Sequence, residues 1–164
     1  SGGASNSQRA SITSRPLFMS VAESIVIFGP ISQFGCRRAC ATVARAMRAA
    51  GPPYTSVYVY MLEGDELVLA AHDGRDTEHT RIAVGQGVCG TAVAARADQN
   101  VPDVRAIGNY IACNLHTRSE LVVLIEKDGA ILGQIDVDSD VPAGFTPDEH
   151  AATRRVADAL ARFL

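Results

Sequence analysis

The sequence predicts an α+β domain built on a mostly antiparallel sheet, and three observations carry that expectation. Two tight-turn signals, Glu63-Gly64-Asp65 and Lys127-Asp128-Gly129, each stand between runs of strand length and apolar character. Helical patterns lie outside those hairpins, towards each end of the chain and in a short Ala-rich stretch over residues 88–96. The resulting order of helix, strands, loop with a short helix, strands and helix lacks the regular strand-helix alternation that builds a parallel sheet.

Residues 1–15 are rich in Ser, Gly and Asn and hold two Arg but no acid, so they are set apart as a disordered tail or cloning scar, with Met19 as a candidate native start. Residues 16–164 are expected to form a single domain. A helix is predicted over residues 35–50, where Cys36, Cys40, Val43 and Met47 recur at the helical period and Arg37, Arg38, Arg45 and Arg48 take other positions. Gly51-Pro52-Pro53 ends it, and residues 55–61 (TSVYVYM) and 66–71 then read as paired strands. Residues 72–83 are polar and weakly periodic, which predicts a long loop with a short strand near 81–84. Gly85-Gln86-Gly87 leads into the short helix, which is expected to start close to Cys89. Val101-Pro102-Asp103-Val104 then opens another loop, and that loop carries Cys113.

Residues 119–125 (SELVVLI) and 131–138 (ILGQIDVD) read as a second strand pair. A three-residue loop with Gly129 in the left-handed conformation is expected to pair Glu126 with Ala130. That register sets Leu121, Val123 and Ile125 opposite Ile135, Gly133 and Ile131 on an apolar face. It sets Glu120 opposite Asp136 on the other face, with Asp138 further along. A two-residue loop at Asp128-Gly129 is rejected, because it would carry Glu120 to the opposite side and scramble both faces. Thr146-Pro147-Asp148-Glu149 starts the last helix, with Thr146 as N-cap, Pro147 in the first position and Glu149 placed to close a capping box.

Composition narrows the function. The 15 Lys+Arg against 18 Asp+Glu leave a near-neutral, slightly acidic surface that disfavours nucleic acid as a partner. Aromatic residues make up only 5% of the chain and Trp is absent, too little for a base-stacking platform. With 47% hydrophobic residues the chain can fill a core without disulfide staples. Cys36, Cys40, Cys89 and Cys113 are too few and too scattered for a secreted scaffold, so a reducing, cytoplasmic setting is expected. No apolar run reaches the roughly 18 residues of a membrane span. The longest, residues 24–34, is interrupted by Gly29 and Pro30, so no membrane association is expected.

The cysteines divide by setting. Cys36 and Cys40 share the apolar face of a helix and read as packed thiols, with a spacing poorly suited to a disulfide inside an intact helix. Cys89 and Cys113 lie in Gly-flanked or polar segments. A helix N-terminus beside Cys89 would favour its thiolate. Reactive and inert readings of both remain open from pattern alone. Glu120, Asp136 and Asp138 read either as a solvated strand face or as a cavity that grips an ammonium group or holds a carboxyl proton. His72, His79, His116 and His150 show no paired ligand spacing, and Gly85-Gln86-Gly87 has no Lys to complete a phosphate loop, so neither a metal nor a cofactor is expected.

Read together, GQGVCGTA (residues 85–92), VPDV (101–104), IAC (111–113), RSELVV (118–123) and GQIDVDS (133–139) resemble the GAF domains of free methionine-(R)-sulfoxide reductases. The likeness is close over residues 85–150 and loose over 55–74. It implies a six-stranded antiparallel sheet with helices packed on one face and a small-ligand pocket on the other. It also implies Cys113 as nucleophile, Cys89 as a second redox position, and Glu120, Asp136 and Asp138 as substrate-binding carboxylates; family assignments of the two cysteines are not uniform. The chemistry implied is thiol-dependent reduction of free methionine sulfoxide. It runs through a Cys113 sulfenic acid and a disulfide with Cys89, and a thioredoxin-like partner resets it. The chain departs from the pattern at His79, where many members have a third Cys, at Asn114, where an Asp often stands, and around Thr55-Ser56-Val57, where a Trp is usual. A non-catalytic GAF module that senses a small molecule or redox state is the alternative, and a homodimer formed through the terminal helices is a further expectation.

Overall fold

The structure, a computed structural model, describes residues 33–108 and 115–164. The readings made for residues 1–15, Met19, the Gly29-Pro30 break and Cys113 lie outside the described residues. Among the described residues, three helices and six strands occur in the order α1 (Gln33–Arg48), β1 (Ser56–Glu63), β2 (Glu66–Asp73), β3 (Arg81–Ala83), α2 (Gly87–Ala95), β4 (Gln99–Val101), β5 (Ser119–Lys127), β6 (Ala130–Ser139) and α3 (Pro147–Ala161). A 3-10 turn, Val104–Ala106, follows β4. The strands form one sheet in the order β3-β2-β1-β6-β5-β4, with every neighbouring pair antiparallel. This is the α+β sheet the sequence predicts. Strand β4 has no sequence signal of its own, because three residues are too few to show periodicity.

The two sheet faces do different work. On one, Val57, Val59, Leu121, Val123, Ile125, Ile135 and Val137 pack against Cys40, Val43 and Met47 of α1 and Ala152, Val156 and Leu160 of α3. On the other, Tyr58, Tyr60, Val122 and Leu124 meet Val88, Cys89, Ala92 and Val93 of α2. So α1 and α3 form the helical layer, while the short α2 sits on the opposite face and walls the site. Cys40 is fully buried, and burial with Cys36 beside it pushes its thiol up to about 12, the behaviour of an inert core residue. No helix among the described residues is long and apolar enough to cross a membrane.

The β5-β6 hairpin corrects the expected register. Lys127 pairs with Ala130, so the loop is the two-residue Asp128-Gly129, with φ +52° and +79° at the two positions. Positive φ at both is the requirement of a turn that matches strand twist, and Asp-Gly meets it. A register shift between Ile125 and Glu126 then inserts one residue and restores the parity that the two-residue loop alone would have inverted. Glu120 consequently faces Asp138, not Asp136, and Leu121, Val123 and Ile125 face Val137, Ile135 and Gly133.

The start of α3 is half of what was expected. The Thr146 hydroxyl accepts from the Glu149 N–H at 3.3 Å, but the Glu149 carboxylate accepts from the Tyr54 hydroxyl, tying the helix to the segment before β1.

Candidate functional site

Each site residue is positioned by an element whose local sequence dictates its path. Cys89 lies in the first turn of α2, and Gly90 seats that helix against the end of β3. A Cβ on Gly90 would collide with the Ala83 carbonyl oxygen and stand 2.9 Å from the Gly85 nitrogen. Gly90→Ala is therefore expected to displace α2, lowering stability by about 1–3 kcal/mol in urea unfolding, a typical overpacking cost. It is also expected to disturb whatever chemistry Cys89 supports.

Glu120 enters from β5, and Asp136 and Asp138 enter from β6, at alternate positions on the α2 side of the sheet. The Cys89 thiol donates to Glu120 Oε1 at 3.9 Å, and one ligand atom each from Cys89, Glu120 and Asp136 lies within 4.8 Å of the others. All three are buried, Cys89 to 4% exposure and Asp136 to 0%. Asp138 Oδ2 accepts from the Thr117 hydroxyl at 3.0 Å. The structure therefore brings together four of the five expected site residues, and the fifth, Cys113, lies outside the described residues.

Burial controls their charge. It raises Asp136 well above the usual carboxylate range, and Asp138 adds to that; Cys89 offers no hydrogen bond of ordinary geometry to Asp136 but is near enough to favour its ionised form. Burial, then Asp136 and Asp138, raise Glu120 well above its usual value, with the Cys89 contact opposing. Asp138 rises to about 7, because burial outweighs the Thr117 hydrogen bond and the positive field of Arg75. At neutral pH the cluster thus holds carboxyl protons next to a thiol.

The segment following β2 is held against this face. The Tyr58 hydroxyl donates to the Arg75 carbonyl and the Tyr60 hydroxyl to the His79 carbonyl, both at 2.9 Å. The Arg75 N–H donates to Ser56 Oγ at 3.0 Å, and its guanidinium forms two 2.7 Å bonds to Asp140. Ser56 and Tyr58 are buried, and Tyr58 pairs in register with Asp136.

Sequence reasoning did not single out Thr117 or Gln134 as site residues. Gln134 is fully buried, and neither polar atom of its amide has a hydrogen-bond partner. Its signal was available in the period-two face, two residues before Asp136. Thr117 precedes the strand, and nothing local marks it.

The family model described as the GAF domain matches residues 36–164. The free methionine-R-sulfoxide reductase of Escherichia coli (strain K12) is 38% identical over 105 residues, which are 64% of this chain and 63% of that protein. The match thus spans less than two thirds of that relative. Among solved structures, the free methionine-R-sulfoxide reductase of Neisseria meningitidis in complex with its substrate superposes with a TM-score of 0.82 at 30% identity, covering 91% of this chain and 86% of that one. The type II free methionine-R-sulfoxide reductase of Thermoplasma acidophilum gives a TM-score of 0.77 at 33% identity, covering 80% and 93%. The matched region takes in every strand of the sheet and each described member of the buried cluster, and the chain belongs to the GAF domain family.

Proposed function

We propose that the protein reduces free L-methionine-(R)-sulfoxide to methionine at the expense of a dithiol. The buried meeting of the Cys89 thiol with Glu120 and Asp136 supports this most strongly, because sulfoxide reduction needs a proton donor and a thiol in one enclosed place. The likeness to the reductases of Escherichia coli and Neisseria meningitidis supports the substrate.

In this reaction the Cys113 thiolate attacks the sulfoxide sulfur while a carboxyl group of the cluster protonates the oxygen. In the adduct the S–O bond breaks as its OH passes to the Cys113 sulfur, and the bond between the two sulfurs breaks with its electron pair left on methionine, which leaves Cys113 as a sulfenic acid. The Cys89 thiol condenses with it, forming a disulfide and releasing water, and a thioredoxin-like dithiol is oxidised as it restores both thiols. Carboxylates beside a thiolate would ordinarily oppose its formation. Carboxyls that burial keeps protonated do not, and the substrate ammonium can neutralise whichever ionises.

The test is methionine formation from each epimer of free L-methionine sulfoxide with dithiothreitol. Turnover of the R epimer, with none of the S epimer, is expected. Saturable ligand binding without turnover would replace the enzyme with a ligand-sensing module.

A further inference from the structure

We infer that Cys89, Glu120 and Asp136 also form a binding site for a divalent cation of the zinc class, which occupies the resting protein and competes with substrate. The competitive role rests on the proposed reductase activity; the cation site does not.

The donors come from three elements, α2, β5 and β6, each fixed by the sheet or by the close packing at Gly90. Their ligand atoms already lie within 4.8 Å of one another. Neighbouring donors of a tetrahedral zinc stand about 3.3–3.5 Å apart, so movements of roughly 1 Å complete three corners and leave the fourth for water. One thiolate with two carboxylates suits a borderline-soft ion better than calcium or magnesium, which take oxygen alone.

A second observation points to an occupant. Asp136 is fully buried, and neither carboxylate oxygen has a hydrogen-bond partner, and the Gln134 amide two residues earlier on that face is equally unsatisfied. Leaving such groups without partners costs about 1–3 kcal/mol each. A cation on Asp136 offsets part of that cost. Binding replaces the proton on the Cys89 thiol and any on Glu120 and Asp136, which enter solution as the metal enters the site. No ligand-spacing motif announces the site, because its three donors are scattered along the chain.

Cobalt(II) is the probe. Titrating the reduced full chain is expected to give a near-ultraviolet thiolate-to-cobalt absorption that saturates at one equivalent and is displaced by zinc. The band should vanish in Cys89→Ser and persist in Cys36→Ser, whose thiol belongs to the other sheet face. Glu120→Gln should weaken cobalt binding by at least about tenfold, and this measurement decides the matter should Cys89→Ser fail to fold by circular dichroism. No band in the parent, a band that survives Cys89→Ser, or unchanged affinity in Glu120→Gln overturns the site. In turnover assays zinc is expected to raise KM and leave kcat unchanged, and turnover indifferent to zinc overturns the competition. A cobalt band in a protein that never reduces the sulfoxide would refute the reductase and leave the cation site standing.

Discussion

Cys113→Ser is expected to abolish methionine formation, whereas Cys89→Ser is expected to keep a single turnover. Reduced, chelator-treated protein mixed with excess free L-methionine-(R)-sulfoxide, with no added reductant, should release one equivalent of methionine. Cys89→Ser should match it and stop as a sulfenic acid that a dimedone trap captures. Cys113→Ser should be slower by about 10³-fold or more, the scale at which losing a nucleophile is felt. The division follows from the proposed roles, in which Cys113 attacks and Cys89, whose buried thiol donates to Glu120, resolves the sulfenic acid. Quenched samples and amino-acid analysis measure the outcome. One equivalent from Cys113→Ser with none from Cys89→Ser would move the attack to Cys89.

The second large effect is on stability. Asp138 ionises near 7 in the native protein against an ordinary 3.8. Below 3.8 both folded and unfolded chains hold the proton, and this group makes no distinction between them. As pH rises from there towards 7, the unfolded chain ionises freely while the native one keeps its proton, so stability falls; above 7 the loss is complete. The shift corresponds to a loss on the order of 4 kcal/mol. Glu120 and Asp136, raised by the same burial, act in the same direction. Asp138→Asn can keep an oxygen for the Thr117 hydroxyl and removes the charge, so it should unfold at higher urea than the parent. The gap should widen by about 2–3 kcal/mol between pH 5 and pH 8 in chelator-treated protein. Equal pH dependence in parent and variant would mean that Asp138 stays solvated in the native state. The variant should lose activity as it gains stability, because the proposed reaction uses Asp138 to hold substrate.

Part of this site was legible residue by residue. Period-two alternation in GQIDVDS put Asp136 and Asp138 on one strand face, and the apolar run LVVLI required Glu120 to share it. The hairpin shows where pattern stops. Asp128-Gly129 is a strong two-residue turn signal that conflicts with face parity along the two strands. The chain satisfies both demands with a register shift at Ile125/Glu126, and no local residue preference announces that shift. Its consequence is chemical, since it sets Glu120 opposite Asp138.

The α+β class, the places of both hairpins though not the register of the second, the N-cap of α3 at Thr146 and the convergence of three carboxylates on one face are all legible in the chain, because each is written in periodicity or turn chemistry over a few neighbouring residues. Only the packing of distant segments brings Cys89 to Glu120 and Asp136, holds the segment after β2 against the site through Tyr58 and Tyr60, and raises the carboxyls' affinity for protons. Those outcomes depend on which distant segments pack together and how thoroughly they exclude water. Desolvation belongs to the assembled fold, and no single stretch of chain contains it.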